Sequence, residues 1–479
     1  MGLGDRDRDV SLVGESRRLR RFFLSPFSQR GLTQGVIDDM KHFRIFVGSV
    51  LALGAAPAVW AESAGGIPPR IDSGDTAWVL LSAALVLMMT PALAFFYGGL
   101  VRRKNMLSVL MQCFAVMGLI TVQWVLVGYS LSFGPTVRGV VGGLQWLGLN
   151  GVGLAPNPDY APTIPHQAFM IYQCMFAIIT PGLILGAFAE RMKFSAYVLF
   201  ALLWSTLVYD PVAHWVWGTG GFLKMSGALD FAGGAVVHVN AGVAALAAAL
   251  VLGKRRGFPA RISPPHNLPF AVLGAGMLWF GWFGFNGGSA LGSGELATTA
   301  FVSTHIAAAA AGLVWAGLDM LVNRHATMLG TITGAVAGLV AITPAAGFVT
   351  PLGAMAIGIT VALICFGSVM YVKVKLGYDD SLDAFGVHGV GGIWGAIATG
   401  IWATKTVNPA GADGLFYGNP GLVWIQTKAV LITGVYSFIL SIVLLKLVDA
   451  LVGLRVSEQD ERIGLDLTQH REAAYTIID

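Results

Sequence analysis

The chain has 479 residues, of which 55% are hydrophobic and only 12% are charged, and this is the composition of an integral membrane protein. Its formal net charge of +4 is small for this length, and the basic residues are spread along the chain, so nucleic acid is excluded as an expected partner. Cys113, Cys174 and Cys365 lie far apart within apolar runs, which predicts packing residues and no disulfide framework.

The start of the chain reads as an export signal preceded by extra residues. Residues 1–39 are rich in Arg and Asp without apolar periodicity, and we interpret them as the product of an upstream start, outside the native chain. Residues 40–61 predict a cleavable signal peptide, with a basic region at Lys41 and Arg44, an apolar run, and small residues up to Ala61 before Glu62. The alternative is a first membrane helix, although the run is short for one. We expect the mature chain to begin near Glu62, outside the cytoplasm of a bacterium with a Gram-negative or similar envelope.

Apolar runs then predict eleven membrane-spanning helices in a membrane domain of residues 62–452, each run being near the length that crosses a bilayer. The predicted spans are 76–99, 107–133, 168–188, 194–213, 230–252, 268–286, 295–321, 328–348, 351–373, 386–404 and 423–452. With the N-terminus outside, the C-terminus is inside, and every predicted internal loop carries basic residues. The predicted external segments carry few, among them Lys224 and Lys405.

Between predicted spans lie charged residues that we interpret as surface groups. Asp210 is placed at the end of the fourth span beside Pro211, where it would be solvated. Glu190 and Arg191 are adjacent in a cytoplasmic turn, and the sequence predicts that they form a surface ion pair.

Two histidines fall inside apolar spans, where an unpaired polar group is unfavourable. His238 is in the fifth span and His388 in the tenth, so that their helices run in opposite directions, and each is followed four residues later by a glycine, Gly242 and Gly392. This pattern predicts two inverted five-helix repeats plus a last helix, with the histidines meeting near the midplane. From the residues alone the histidines could line a pore or proton path, satisfy a structural role, or bind a metal or haem.

Eight stretches in a fixed order carry a resemblance to a known family. They are "FFYGGLVRRKN" at 95–105, "GAFAERMKFSA" at 186–196, "LDFAGGAVVHVNAG" at 229–242, "PHNLPF" at 265–270, "GWFGFNGGSA" at 281–290, "AGLVAITPAAGFV" at 337–349, "DAFGVHGVGGIWG" at 383–395 and "GLRVSEQDERIGLD" at 453–466. From about Asp75 onward the chain resembles the ammonium transporter family (Amt/Mep/Rh). It departs from the family at Ser303, where an asparagine is usual, and His305 is also unusual at its position.

The resemblance implies a homotrimer in the bacterial inner membrane, with a pore in each subunit that transports ammonium or ammonia, and implies neither enzymatic activity nor a cofactor or metal. The implied roles are an external vestibule at Trp217, Ser289 and Tyr172, two stacked phenylalanines that close the pore at Phe176 and Phe285, and a pore at His238, His388 and Trp282. By pattern alone, the tryptophan at 217 would be an interfacial aromatic, the serine at 289 a helix-end hydrogen bonder, and the phenylalanines core residues. Asp230 reads as the N-cap of the fifth helix, with a long-range electrostatic contribution to ammonium binding as a compatible alternative.

A mechanism follows from the energy of burying a charge. A bare ammonium ion is much more costly to bury than neutral ammonia, and low dielectric favours neutral histidine rings, one of which could donate a hydrogen bond to the other. We therefore expect recognition as ammonium at Trp217 and Ser289, deprotonation near the phenylalanines, passage as ammonia along His238 and His388, and reprotonation inside. Potassium has no proton to release and should be rejected.

The charged tail, residues 453–479, would by itself read as a solvated terminus. It resembles the family's cytoplasmic segment, which couples neighbouring subunits and helps PII signalling proteins to block the pores. Two other functions remain open at this point: an ammonium sensor that acts through PII proteins, and a di-histidine haem-binding electron carrier.

Overall fold

The computed structural model describes residues 70–259 and 264–475, and nearly all of this part of the chain is helical. The predicted upstream segment, 1–39, and the predicted signal peptide, 40–61, lie outside the described residues. Nine described helices are long and apolar enough to cross a membrane. They are α1 Ser73–Leu100, α2 Arg103–Phe133, α3 His166–Phe188, α4 Phe194–Met225, α5 Gly234–Leu252, α6 Leu268–Ala290, α7 Glu295–Asn323, α9 Pro351–Leu376 and α11 Gly421–Val452.

Two further apolar helices coincide with the eighth and tenth predicted spans. Helix α8, Met328–Ile342, has 15 residues and is short for a complete crossing. Helix α10 consists of a π-helical turn, Phe385–Gly389, continued by the α-helix Val390–Trp402. The prediction of an all-helical membrane domain is therefore confirmed, with nine long apolar helices and two shorter ones among the described residues.

The connections between the spans contain only short elements. Strands β1, Thr136–Val137, and β2, Val141–Gly142, form an antiparallel hairpin after α2, with Thr136 opposite Gly142. Single 3₁₀ turns occupy Leu147–Leu149 and Leu415–Tyr417. After α11 come the helix α12, Glu458–Ile463, and a π-helical turn, Asp466–His470.

Helix α3 lies at the centre of the domain, because nearly all of its residues are buried. It packs against α1, α2 and α5, and small residues allow these helices to approach closely. At Gly186 of α3, an added Cβ atom would lie 2.8 Å from the ring of Tyr97 in α1. The central helix can thus carry side chains into the interior of the domain along most of its length.

The prediction that Asp210 is solvated was wrong, because its side chain is fully buried. The fourth helix does not end near residue 213 but runs to Trp217, before an extended Gly218 and a last short helix, Phe222–Met225, so Asp210 is an interior position of α4. Its carboxylate accepts hydrogen bonds from the Gln123 amide nitrogen at 2.7 Å and from the Ser132 hydroxyl at 3.3 Å.

The predicted surface pair between Glu190 and Arg191 was also wrong, because both side chains are buried and each binds a different partner. The Glu190 carboxylate lies 2.9 Å from Arg102 Nε and 3.6 Å from Arg255 Nη1. The Arg191 guanidinium is 3.7 Å from the Asp379 carboxylate. Burial raises the pKa of the Glu190 carboxyl, but Arg102 and Arg255 outweigh burial and hold the pKa below its ordinary value. Loops from distant parts of the chain thus form one charged cluster.

The described part of the tail, residues 453–475, packs against this same side of the domain. Its backbone bonds directly to the loop after α3, from Lys193 N to Leu454 O at 2.8 Å and from Val456 N to Arg191 O at 3.0 Å. Further along the tail, the Asp466 carboxylate accepts from the backbone N–H of Ser108 at 2.8 Å. The tail is therefore a docked segment, unlike the solvated terminus that its charge alone suggests.

Candidate functional site

The two histidines lie in the first turns of α5 and α10, and these turns are built alike. His238 belongs to the π-helical turn Gly234–Val239 and His388 to the π-helical turn Phe385–Gly389. Eight residues before each histidine, an aspartate caps the turn by accepting backbone N–H groups. Asp230 accepts from Gly233 at 2.9 Å, Gly234 at 2.5 Å, Ala235 at 2.8 Å and Val236 at 3.1 Å, and Asp380 accepts from Ala384 at 3.0 Å and Phe385 at 2.8 Å.

Asp380 is a site residue that the sequence interpretation missed. It is buried, and its carboxylate supports the turn of His388 as Asp230 supports that of His238. The equal spacing from aspartate to histidine, eight residues in each case, was visible in the sequence and would have identified it.

The two histidine helices cross in backbone contact. A Cβ atom added to Gly242 of α5 would lie 2.1 Å from the Gly389 nitrogen in α10, a distance that no side chain could occupy. A Cβ atom added to Gly392 of α10 would lie 2.9 Å from the His238 Cβ. Because these glycines have no side chain, the two helices can approach closely enough for the two histidines to be neighbours.

The planes of the two histidine rings are nearly parallel, with ring centroids 5.4 Å apart and an interplanar angle of 15°. Both rings are buried. Among the described residues, neither nitrogen of His238 nor the Nδ1 of His388 has a hydrogen-bond partner. The expected hydrogen bond from one ring to the other is therefore not formed at this separation of the rings. The Trp282 ring lies with its centroid 5.4 Å from that of the His238 ring, and its indole N–H donates to the Thr343 hydroxyl at 2.9 Å.

Phe176 and Phe285 lie between the histidines and Trp217. Their ring centroids are 4.5 Å apart, and the rings are tilted by 58°, not stacked in parallel as the resemblance implied. Phe176 contacts Trp217 with centroids 5.7 Å apart, and Phe285 contacts His238 at 5.9 Å. The structure therefore brings an indole, two phenyl rings and two imidazole rings into one continuous series.

A cavity of about 430 Å³, here called the outer cavity, opens on the Trp217 side of the phenylalanines. Its lining includes Phe176, Trp217, Lys224, Asp230 and Ser289. The Trp217 indole donates to the backbone oxygen of Asp230 at 2.9 Å, which fixes the ring at the cavity wall.

Tyr172 supports the wall of the outer cavity from behind. It is fully buried, and its single O–H proton is shared between the Gly284 oxygen at 2.9 Å and the Phe285 oxygen at 2.8 Å. The Tyr172 hydroxyl also lies 3.1 Å from the Ser289 hydroxyl. Ser289 itself donates to the Phe285 oxygen at 2.8 Å. Tyr172 therefore positions Ser289 and the backbone around Phe285.

Past the phenylalanines the space narrows and then widens again. A space of about 10 Å³ lies between Phe285, Trp282 and the two histidines, and the rest of its lining is aliphatic, methionine or phenylalanine. This volume is near the lower limit for holding one water molecule. A second cavity of about 330 Å³, here called the inner cavity, begins at His388 and is lined by Tyr97, Asp319, Lys373 and Asp383 among others.

Within residues 70–259 and 264–475, no three His, Cys, Asp or Glu side chains are grouped so that they could hold a metal ion. The sequence-predicted residues of the vestibule, the phenylalanine pair and the pore all lie along one line between the two cavities or directly behind it.

The chain was compared with a family model, with proteins of similar sequence and with solved structures. The model of the Ammonium Transporter Family matches residues 77–475. An ammonium transporter of Bacillus subtilis (strain 168) is 54% identical over 405 residues, covering 85% of this chain and 99% of the relative. The crystal structure of Saccharomyces cerevisiae Mep2 superposes with a TM-score of 0.77 at 35% identity, covering 81% of this chain and 89% of that one.

A third match, a solved structure described as a sensor Amt protein, has a TM-score of 0.77 at 29% identity and covers 83% of this chain and 98% of that one. Both the family match and the identity to the bacterial relative extend over most of the chain, and the two cavities and the histidine pair lie within residues 77–475. On this evidence the chain belongs to the ammonium transporter family.

Proposed function

We propose that this protein moves ammonium across a membrane by conducting it as ammonia past His238 and His388. The observation that supports the proposal best is the series of outer cavity, phenylalanine pair, histidine pair and inner cavity. The names of the similar proteins support ammonium as the substrate.

The chemistry of each zone supports a change of protonation along the path. The face of Trp217 and the hydroxyl of Ser289 can interact with a cation in the wide outer cavity, where it keeps part of its hydration. The phenylalanine pair and the narrow space have few polar groups that could replace the water around an ion. Burying an isolated ammonium ion there is therefore far more costly than burying ammonia. We propose that the ion loses its proton at Phe176 and Phe285 and that the unpartnered ring nitrogens of the histidines hydrogen-bond the passing ammonia. It regains a proton in the inner cavity.

An electrical measurement on the purified protein in liposomes tests this proposal. We expect an ammonium gradient to evoke a current or, if transport is electrically neutral, a change of internal pH, while an equal potassium gradient evokes neither. Protein-free liposomes give the background of ammonia that leaks through the lipid. A response no larger than this background would contradict transport and favour the ammonium sensor, a role supported by the likeness to the sensor Amt protein.

We further propose a homotrimer in the bacterial inner membrane, with eleven spans arranged as two inverted five-helix repeats plus α11. The matching aspartate-to-histidine turns of α5 and α10 support the repeat, and the docked tail lies on the side where the predicted cytoplasmic loops gather. With the C-terminus inside and an odd number of spans, the N-terminus is outside.

N-terminal sequencing of protein extracted from membranes should therefore begin near Glu62, and a chain that begins at Met1 or Met40 would refute both the cleavage and this orientation.

A cytoplasmic PII-type protein is the proposed regulator, acting through the tail of residues 453–479. The tail bonds to the start of α2 and to the loop after α3, so a partner that holds the tail acts on a segment attached to both of these elements. We expect a PII protein to co-purify with membranes after an ammonium pulse, and to be lost when the chain is truncated after Val452. Failure to co-purify under every nucleotide condition would remove PII from the proposed partners.

A further inference from the structure

Lys224 places a positive charge in the wall of the outer cavity, which is unexpected for a cavity that receives a cation. Its ammonium group donates to the backbone oxygen of Trp217 at 3.0 Å and lies 5.9 Å from the centroid of the Tyr160 ring. Lys224, Tyr160 and Trp217 all line the same cavity. The fixed cation is thus anchored to the residue whose ring is proposed to recruit ammonium.

The other charges of the cavity wall do not cancel this one completely. Asp230 also lines the cavity, but its two carboxylate oxygens accept the four backbone N–H bonds of the α5 turn. Asp159 is the remaining acidic residue of the lining, and both Asp159 and Lys224 are exposed to solvent, so each acts on an ion in the cavity through a screened interaction. Within the described lining, Lys224 is the one Lys or Arg side chain.

We infer that Lys224 lowers the affinity of the outer cavity for ammonium, and that Lys224 and Asp159 together set this affinity by opposite charges. The inference rests on the proposed function, because it assumes that ammonium is bound near Trp217. Two like charges in a partly hydrated cavity repel each other by an energy that decreases with distance and with added salt. A cavity with weaker affinity binds less ammonium at low concentration and releases it more readily. Lys224 should therefore reduce transport at low ammonium concentrations and extend the range of concentrations over which the transport rate still rises.

Charge substitutions at the two residues test the inference. In liposomes containing the full-length protein, Lys224→Met should lower the half-saturating ammonium concentration by about two- to tenfold, with little change in the maximal response. Lys224→Arg, which keeps both the charge and a donor for the Trp217 oxygen, should behave like the unmodified protein. Asp159→Asn should raise the half-saturating concentration. Lys405→Met is the matched control, because Lys405 is exposed and lies outside the cavity lining, and it should change nothing.

Ionic strength separates a charge effect from a structural one. The difference between Lys224→Met and the unmodified protein should shrink as an inert salt is raised from low to physiological concentration. An unchanged half-saturating concentration in Lys224→Met, or an equal change in Lys224→Met and Lys224→Arg, would overturn the inference while transport by the unmodified protein still upheld the proposed function. A protein that transports nothing in any form would instead refute the proposed function and the inference with it.

Discussion

His238→Ala and His388→Ala are each expected to reduce the ammonium-evoked current in liposomes by about ten- to a hundredfold. Each substitution removes a ring from the narrow space between Phe285 and the inner cavity and deprives ammonia of a hydrogen-bonding partner where the other lining groups are apolar. Leaving a buried polar group without a partner costs about 1–3 kcal/mol, which corresponds to the expected range of rates. The double variant should be little worse than either single one, because both rings serve the same constriction.

The control for the histidine variants is His305→Ala, since His305 lies on an exposed face of α7, away from the two cavities. All the variants should assemble as the unmodified protein does, because the helix crossing depends on Gly242 and Gly392 and not on the rings. Full current with unchanged selectivity in both single histidine variants would show that the rings are structural. Residual current carried equally by potassium would show that the rings exclude bare ions and are dispensable for conduction.

Asp230→Ala is expected to prevent assembly of a stable protein and thereby abolish the current. Four backbone N–H groups of the α5 turn would lose their acceptor at once, and each buried donor left unpaired costs about 1–3 kcal/mol. Even with partial compensation by solvent from the outer cavity, the sum is a large part of the roughly 5–15 kcal/mol that stabilises a typical domain. Size-exclusion chromatography in mild detergent, together with the liposome current normalised to inserted protein, measures both effects.

Asp230→Asn separates the capping role from the electrostatic role. The amide keeps one acceptor oxygen but presents an NH₂ group to the N–H donors on the other side, so some destabilisation is expected even where the protein assembles. Asp159→Asn is the matched control for loss of a carboxylate in the same cavity, and it should leave assembly intact. If Asp230→Asn assembles normally but carries no current, the charge acts on ammonium directly. Normal assembly and current in Asp230→Ala would contradict the capping role itself.

The spans were largely predictable because the length of an apolar run can be read from the local sequence. Every predicted span has a described helix at its position, but the fourth span was predicted to end at residue 213, whereas its helix runs to Trp217. The polar and aromatic residues after residue 213 resemble a loop, but they face the interior of the domain. That error also displaced Asp210 from a buried interior position to a supposed solvated end.

The partners of charged residues were not predictable, because they come from distant parts of the chain. Glu190 and Arg191 are adjacent in sequence, yet they bind Arg102 and Asp379 respectively. Glu190 has a left-handed backbone, with φ of 76°, at the turn where the two side chains diverge. No local pattern encodes which loops meet at one face of a membrane domain.

The chemical types at the candidate site could be predicted, whereas their orientations could not. The motifs located the two histidines and the phenylalanine pair, but the parallel histidine rings and the 58° tilt between the phenyl rings depend on helix crossing and side-chain packing. Asp380, in contrast, could have been predicted from the sequence but was not. Its spacing to His388 is the same eight residues that separate Asp230 from His238.

The backbone contact between Gly242 and Gly389 has a consequence for how the protein is made. These two glycines are separated by 147 residues (389 − 242), so α5 is synthesised well before α10. At about 5–20 residues per second, the ribosome needs roughly 7–30 s to cover that distance. During this interval α5 is in the membrane before α10 has been made to cover the backbone at Gly242. A chain that stops before Phe385 therefore lacks His388 and the part of the outer cavity's wall formed by residues 410–412. Any quality control that acts on nascent membrane proteins has to tolerate this incomplete state for many seconds.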